Sequence, residues 1–256
     1  MRRRPIVMGI VNVTPDSFYD GGRHGDSIAH ARQLVSEGAD WIDVGGESTR
    51  PGAEPVPVQE ELARVLPVIE ALSAEVPVSV DTTKPAVAQA AAAAGATILN
   101  DVRGLRDPEM VAVSALFDKT VIMHSRGTPK TMRGLTEYSD LIAEVRDVLV
   151  ERAEQCKSRE VWLDPGIGFA KGASQSLSLL KHLPTLVATG YPVLVGASRK
   201  SFIGRTLDRP DADDRLAGSL AAAAAAAIRG AAALRVHDVR ATRDVVALLY
   251  AIEQAD

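Results

Sequence analysis

Short apolar runs alternate along the chain with longer segments in which apolar residues return every three or four positions, and that alternation predicts its elements. The run Ile6, Val7, Met8, Ile10, Val11, Val13 is dense enough in β-branched residues for a strand buried on both faces. It breaks into a polar stretch of turn residues (Asn12, Thr14, Pro15, Asp16) that reaches Gly22. Further strands are predicted at Trp41–Gly45, Val76–Asp81, Thr97–Asp101, Thr120–His124, Glu160–Asp164, Pro192–Gly196 and Ala233–His237. Between them lie helical periods. Asp26 is placed to cap a helix that carries Ile28, Ala31, Leu34 and Val35 on one face and stops at Gly38. Leu62, Val65, Leu66, Ile69 and Leu72 mark a second, which Pro67 should kink or thin. Six more are predicted near residues 85–94, 108–117, 136–157, 174–188, 213–229 and 240–254.

A short echo recurs. GADWIDV begins at Gly38, GATILNDV at Gly95 and GAAALRVHDV at Gly230. Each is a helix-stopping glycine, an apolar strand, then Asp-Val, so a helix-to-strand joint is repeated and Asp43, Asp101 and Asp238 fall near strand carboxyl ends. Strict alternation forces parallel strands with right-handed crossovers. Eight strands and eight helices in units of about thirty residues predict an α/β fold, a (β/α)8 TIM barrel forming a single domain over residues 1–256, ahead of an open doubly wound sheet. The spacing GIGFAKG at Gly166 misses the dinucleotide fingerprint because Lys171 stands where the third glycine belongs. The seven alanines Ala221–Ala227 predict a closely packed helix, with a subunit interface as the second reading.

Composition narrows the function classes. The apolar fraction is 46% but aromatics are only 4%, so aliphatic and alanine packing must fill the core. A net charge of −4 with no basic cluster beyond Arg2–Arg4 points away from nucleic acid and acidic membrane surfaces. No apolar run reaches spanning length once Arg229 interrupts the alanine segment, and no secretory leader is read at the start. Cys156 stands alone, which fits a reducing cytoplasm and makes an internal disulfide impossible.

In a barrel the strand carboxyl ends converge on one mouth, where ligands bind. The residues brought there include Asn12, Asp43, the loop Glu47–Pro51, Asp81, Asn100, Asp101, His124, Asp164, Phe169, Ser198–Ser201, Arg235 and His237. Asp81, Asn100, Asp164 and Lys200 suit a buried polar floor for a flat heterocycle with an amidine-like edge, because a carboxylate accepts two parallel N–H bonds. Arg50, Arg235, His237 and Asn12 suit a phosphate or pyrophosphate, and the Asn12 side-chain oxygen suits Mg²⁺. Against these stand plainer roles: Asp43 and Asp101 as helix caps, with support of a neighbouring side chain as a second role for Asp43, His124 as a hydrogen-bonded core histidine, Arg199 paired outside the mouth, Phe18 and Phe169 as packing. A metal hydrolase is a weak reading, since Asn12-Val-Thr replaces an early His-x-His. A Schiff-base aldolase would need a desolvated lysine, and carboxylates near Lys200 would keep it charged.

The stretches MGIVNVTPDSFYDGG, DVGGESTRPGAEPV, VSVDTTKP, LNDVRGL, MHSRGTPKTM, LDPGIGFAK, LVGASRKSFIG, DRLAGSLA and LRVHDV together resemble the bacterial dihydropteroate synthase family, in that family's order and over nearly the whole chain. The resemblance implies a homodimeric, Mg²⁺-using transferase. Such an enzyme joins 6-hydroxymethyl-7,8-dihydropterin pyrophosphate to p-aminobenzoate in folate synthesis and is the sulfonamide target. It implies that Asp81, Asn100, Asp164 and Lys200 hold the pterin, with Met123 and Phe169 beside the ring and Gly196 leaving room. Asn12, Arg50, Arg235 and His237 match the pyrophosphate and Mg²⁺ groups, and Phe18, Thr49, Pro51, Lys200 and Ser201 the p-aminobenzoate and sulfonamide contacts. The loops 14–22 and 48–55 would close over the site, and the implied chemistry is dissociative. The resemblance implies Asp81, Asp164, Lys200, Arg235 and His237 as the catalytic set. Tyr19 and Arg126 depart from the family pattern near the mouth and bear on affinity. Two other readings share the pterin floor: a non-catalytic pterin-binding paralogue, and a pterin-dependent methyltransferase domain serving a corrinoid protein. The latter holds no pyrophosphate, so Ser198-Arg199-Lys200 and Arg235-Val-His237 speak against it.

Overall fold

The computed structural model describes residues 4–13, 24–50 and 52–255. Among them are eight strands: β1 (Ile6–Asn12), β2 (Trp41–Gly45), β3 (Val78–Asp81), β4 (Ile98–Asp101), β5 (Lys119–Met123), β6 (Glu160–Asp164), β7 (Leu194–Val195) and β8 (Ala233–Val236). All pair in parallel, in the order β6-β5-β4-β3-β2-β1-β8-β7. The two ends of that order meet. Leu163 of β6 bridges Val193, and the Leu163 N–H donates to the Pro192 carbonyl at 2.9 Å, so the sheet curls into a nearly closed barrel. The TIM-barrel architecture expected from the alternation is the one observed.

The outer layer is α1 (His24–Ser36), α2 (Val58–Leu72), α3 (Pro85–Ala93), α4 (Pro108–Val113), α5 (Leu141–Gln155), α6 (Ala173–Lys181), α7 (Leu183–Val187), α8 (Ser201–Leu207), α9 (Leu216–Ile228) and α10 (Val239–Gln254). The repeated joint is real: Gly38, Gly95 and Gly230 have φ of 99°, 103° and 97°, the left-handed geometry that ends a helix and frees the chain to turn into the next strand.

Several expectations are corrected. Helix α1 has already begun at His24, so Asp26 lies inside its first turn and is not its cap. Helix α2, by contrast, includes Pro67 as expected, and the missing N–H thins its ladder there. The helix expected from residue 136 starts only at Leu141, where the Asp140 carboxylate accepts from the Ile142 and Ala143 N–H groups at 3.1 and 3.0 Å. The helix expected over residues 174–188 divides at His182, because Pro184 has no N–H to continue the ladder. Strand β7 shrinks to two residues, and α8 is an additional helix between it and α9. Gly218 permits that insertion, since a Cβ there would lie 2.3 Å from Ile203 Cγ2 where α9 meets α8.

Inside the barrel, Met8, Trp41, Ile98, Val121, Trp162, Leu194 and Ala233 form a cluster separate from the aliphatic shell between sheet and helices. The Trp41 and Trp162 rings meet edge to face, 5.0 Å apart at 72°. Side chains alternate along a strand, so the next inward positions, two residues on, are Ile10, Asp43, Asn100, Met123, Asp164, Gly196 and Arg235. An apolar plug therefore supports a polar layer directly above it.

Candidate active site

The polar layer is centred on Arg235, which β8 delivers to the barrel interior. Its Nε donates to Asp43 Oδ2 at 2.6 Å and its Nη2 to Asp81 Oδ2 at 2.8 Å. Asn100 Nδ2 also donates to Asp43 Oδ2, at 3.1 Å. Asp43 is wholly buried and is not a helix cap; it anchors Arg235 and Asn100. Against the cost of burial, Asp43 and Asp81 hold the Arg235 guanidinium above the ordinary arginine range. One arginine faces two carboxylates here, and Asp43 Oδ1 and Asp81 Oδ1 are buried without a hydrogen-bond partner among the described residues. Burial pushes Asp81 up, with Arg235 opposing and Asp43 adding to the rise. Orphaned acceptors of this kind are costly, about 1–3 kcal/mol each, unless a donor arrives.

Asp164 lies on the same layer. Its Oδ1 accepts the Gly166 N–H at 2.7 Å, and burial raises its pKa while Lys200 opposes the rise. Lys200 Nζ donates to the Ile167 carbonyl and lies 4.6 Å from the Phe169 ring centroid. Burial lowers Lys200 to about 8 even with Asp164 pulling the other way, so it remains mostly charged at neutral pH. A Cβ on Gly196 would meet Arg235 at 3.7 Å and Asp164 Oδ2 at 3.9 Å, so the glycine borders the space between those two groups. Met123 is buried beside them, at the end of β5.

The rim is cationic. His237 Nδ1 lies 3.1 Å from Ser198 Oγ, and the His237 N–H donates to the same oxygen at 3.2 Å. Burial, with Arg235, Arg199 and Arg50 nearby, lowers His237 to about 4, Asp238 opposing. Arg50 is exposed on the β2–α2 loop, beside half-buried Thr49. Glu47 in that loop accepts from Lys84 Nζ at 2.6 Å and from the Val56 N–H at 2.7 Å. Arg199 pairs with Asp238 and Asp213, each at 2.6 Å, which matches the expectation of a pairing away from the mouth. Asp101 accepts from the Arg103 and Leu105 N–H groups, both at 2.8 Å, and so folds its own loop; α4 is capped by Asp107. Ser201 opens α8 and is exposed. Arg126 donates to the Glu137 carbonyl at 2.6 Å, pairs with Glu144 and stacks over Tyr138. Phe18, Tyr19, Pro51 and the loop 14–22 lie outside the described residues.

Asn12 ends β1 half-buried, and no hydrogen bond joins its side chain to another described residue. Among the described residues no three His, Cys, Asp or Glu side chains are grouped to hold a metal. A free amide oxygen on the rim is compatible with Mg²⁺ that takes most of its ligands from water and phosphate, since that ion uses few protein ligands in such sites.

A buried charged group to which the sequence reading assigns no role is Lys171, beside His124, with Nζ 2.9 Å from His124 Nδ1. A groove of about 440 Å³ opens at the opposite end of the barrel, beside Trp41 and Ile98. Its charged side chains are already paired, Glu75 with Arg32, Asp118 with Arg159 and Lys119 with Glu160.

The sequence profile described as "Pterin binding enzyme" matches residues 8–237. A dihydropteroate synthase of Synechocystis sp. is 47% identical over 255 residues, covering 95% of this chain and 88% of the relative. A Xanthomonas albilineans dihydropteroate synthase solved with 4-aminobenzoic acid superposes with a TM-score of 0.93 at 48% identity, over 99% of this chain and 94% of that one. A Yersinia pestis dihydropteroate synthase in a sulfonamide drug complex gives 0.93 at 42% identity, over 98% and 95%.

Proposed function

We propose, for a chain that belongs to the dihydropteroate synthases among the pterin binding enzymes, the reaction of that family. It condenses 6-hydroxymethyl-7,8-dihydropterin pyrophosphate with p-aminobenzoate, giving 7,8-dihydropteroate and pyrophosphate, as a transferase of folate biosynthesis. The observation that carries the reading is the polar layer over the apolar plug, where Asp81, held by Arg235 through Oδ2, keeps Oδ1 buried without a partner among the described residues. A pterin's amino and ring N–H groups are the donors such carboxylates lack. Asp81, Asn100, Asp164 and Lys200 bind the heterocycle, Met123 and Phe169 flank it, and Gly196 leaves it space.

Arg235 and His237, with Arg50 and Asn12, receive the pyrophosphate. Arg235 commits Nε and Nη2 to carboxylates, and Nη1 is the guanidinium nitrogen left for an anion. Bound Mg²⁺ would neutralise charge on the leaving pyrophosphate, with Asn12 as its protein ligand. The reaction is dissociative. The pterin methylene C–O bond breaks and pyrophosphate departs with the electron pair. The resulting cation is delocalised into the ring beside the Asp81 and Asp164 carboxylates. The arylamine lone pair then forms the C–N bond and its proton passes to solvent. No strong base is needed; catalysis is preorganised charge. Thr49, Lys200 and Ser201, with Phe18 and Pro51, contact p-aminobenzoate and the sulfonamides that mimic it. The loops after β1 and β2 exclude water from the cation.

No helix among the described residues is long and apolar enough to cross a membrane, and the lone Cys156 supports a cytoplasmic enzyme. Exposed Leu177, Leu207 and Leu216 on α6, α8 and α9 support a homodimer through those helices. Sedimentation of the purified chain at twice the monomer mass is the expected outcome.

The deciding assay follows pyrophosphate and dihydropteroate together, with both substrates and Mg²⁺. Coupled formation of the two products is expected. Pterin binding without turnover would favour the non-catalytic paralogue.

A further inference from the structure

Lys171 is the one buried lysine among the described residues, and the chemistry above does not use it. We propose that Lys171 is a positioning residue of the pterin site: its ammonium ties the β6–α6 loop to the end of β5 and fixes His124 as the neutral imidazole protonated on Nε2. The proposal rests on the pterin reading of Phe169 and Lys200.

Three acceptors converge on Lys171 Nζ. They are His124 Nδ1 at 2.9 Å, the His124 carbonyl at 3.2 Å and the Phe169 carbonyl at 2.9 Å. Only an ammonium has three N–H groups, so the charged form alone satisfies all three. Nδ1 of His124 is then an acceptor, which puts the ring proton on Nε2. Burial, with Lys171, Arg126 and Arg106 close by, lowers His124 to about 3, in keeping with a permanently neutral ring. Tyr138 is its aromatic neighbour, 6.2 Å between centroids. Burial also draws Lys171 down, to about 7.

The loop between β6 and α6 turns through the left-handed region three times. Gly166 and Gly168, with φ of 66° and 81°, adopt it freely, while Ala170 at 51° carries a Cβ that disfavours it. Gly166 passes so close to β5 that a Cβ would lie 1.9 Å from the His124 carbonyl oxygen. Three side chains hold the loop there: Lys171 on Phe169, Tyr138 Oη on the Ala170 carbonyl at 3.0 Å, and Lys200 on the Ile167 carbonyl. Lys171 therefore acts on the heterocycle through Phe169, whose ring carries Lys200.

The test uses the full chain and Lys171→Met. Histidine ¹⁵N spectra of the ligand-free protein report the tautomer and titration of His124. Calorimetry reports dihydropterin pyrophosphate binding with Mg²⁺, and steady-state kinetics the KM for p-aminobenzoate. Wild-type His124 is expected as the Nε2–H tautomer, not titrating between pH 6.5 and 5, where Lys171 is mostly ammonium. In Lys171→Met it should populate both tautomers and protonate within that range. Pterin dissociation should rise at least tenfold, and the p-aminobenzoate KM should stay within twofold. Tyr138→Phe, which removes a different tie on the same loop, should leave the tautomer alone. If Lys171→Met does not fold, Lys171→Leu is read by the same criteria. A wild-type Nδ1–H tautomer, a His124 titrating near 6.5, or unchanged pterin affinity in a folded variant would overturn the proposal. A wild-type chain with the expected tautomer but no pterin affinity would overturn the site assignment beneath it while leaving the Lys171–His124 pairing intact.

Discussion

Two layers of the same barrel interior lie two residues apart and are built on opposite principles. The lower one, from Met8 and Trp41 round to Ala233, is apolar and closed by a tryptophan pair. The upper one places Arg235 between Asp43 and Asp81, with Asn100, Asp164 and Lys200 around them. Each layer leaves polar atoms unpaired. In the lower these are uncharged, Trp162 Nε1 and Ser79 Oγ; in the upper they are carboxylate oxygens of Asp43 and Asp81. An unpaired indole or hydroxyl is a modest penalty that good packing offsets. An unpaired carboxylate oxygen in a cluster carrying excess negative charge costs more, and N–H donors of a ligand would relieve that cost. The plug stabilises the fold, and by filling the barrel it keeps water from approaching the upper layer from below.

That division is open to attack by substitution. The largest effect is expected for Arg235→Ala, which removes the anion ligand and leaves Asp43 and Asp81 facing each other. Turnover should fall at least a thousandfold, about 4 kcal/mol. Unfolding free energy should fall by about 3–5 kcal/mol as well, since breaking a buried ion pair strands its partners. A loss of turnover with unaltered stability would show that Arg235 does not hold the layer together. Trp41→Ala sharpens the contrast from below. It should cost about 3–5 kcal/mol in denaturant unfolding, while turnover per folded molecule stays within twofold; a comparable loss of turnover would erase the distinction between layers.

A smaller effect is expected from pH. His124 and His237 have folded pKa values lowered to about 3 and about 4, below the ordinary 6.5 of the unfolded chain. Both are then neutral in the native state, so the unfolded state binds more protons below pH 6.5. Their contribution to stability is present above that pH and is lost as pH falls towards the folded values, by about 1.4 kcal/mol per pH unit for each histidine. Asp81, which burial raises to about 7, binds its proton in the native state over the same range and opposes the histidines. Their share is therefore read by difference: urea midpoints from pH 7 to pH 5 should fall less, or rise more, in His124→Gln than in the wild type.

Much of this was legible in the chain. The glycine joints and the Asp-Val that follows them placed the strand ends, and β2 and β6 fall where the apolar runs put them. The seventh strand was overextended because Pro192 to Gly196 is uniformly small or apolar, although only Leu194 and Val195 pair as strand. The added α8 had no strong period of its own in seven residues. For Asp43 the supporting role is legible but the partner is not, because Arg235 lies 192 residues away and closure of the barrel brings them together. Lys171 was unreadable for a similar reason. Two of its three acceptors are backbone carbonyls, which every residue has, and a sequence carries no mark of which will converge.

The central claim is that the upper layer holds the pterin, and Asp164→Asn tests it most directly. Calorimetric titration with dihydropterin pyrophosphate and Mg²⁺ should give a dissociation constant more than tenfold weaker than wild type, a loss of about 1.4 kcal/mol or more, with the thermal midpoint little changed. Equal affinity in a folded Asp164→Asn protein would place the heterocycle elsewhere and contradict the account.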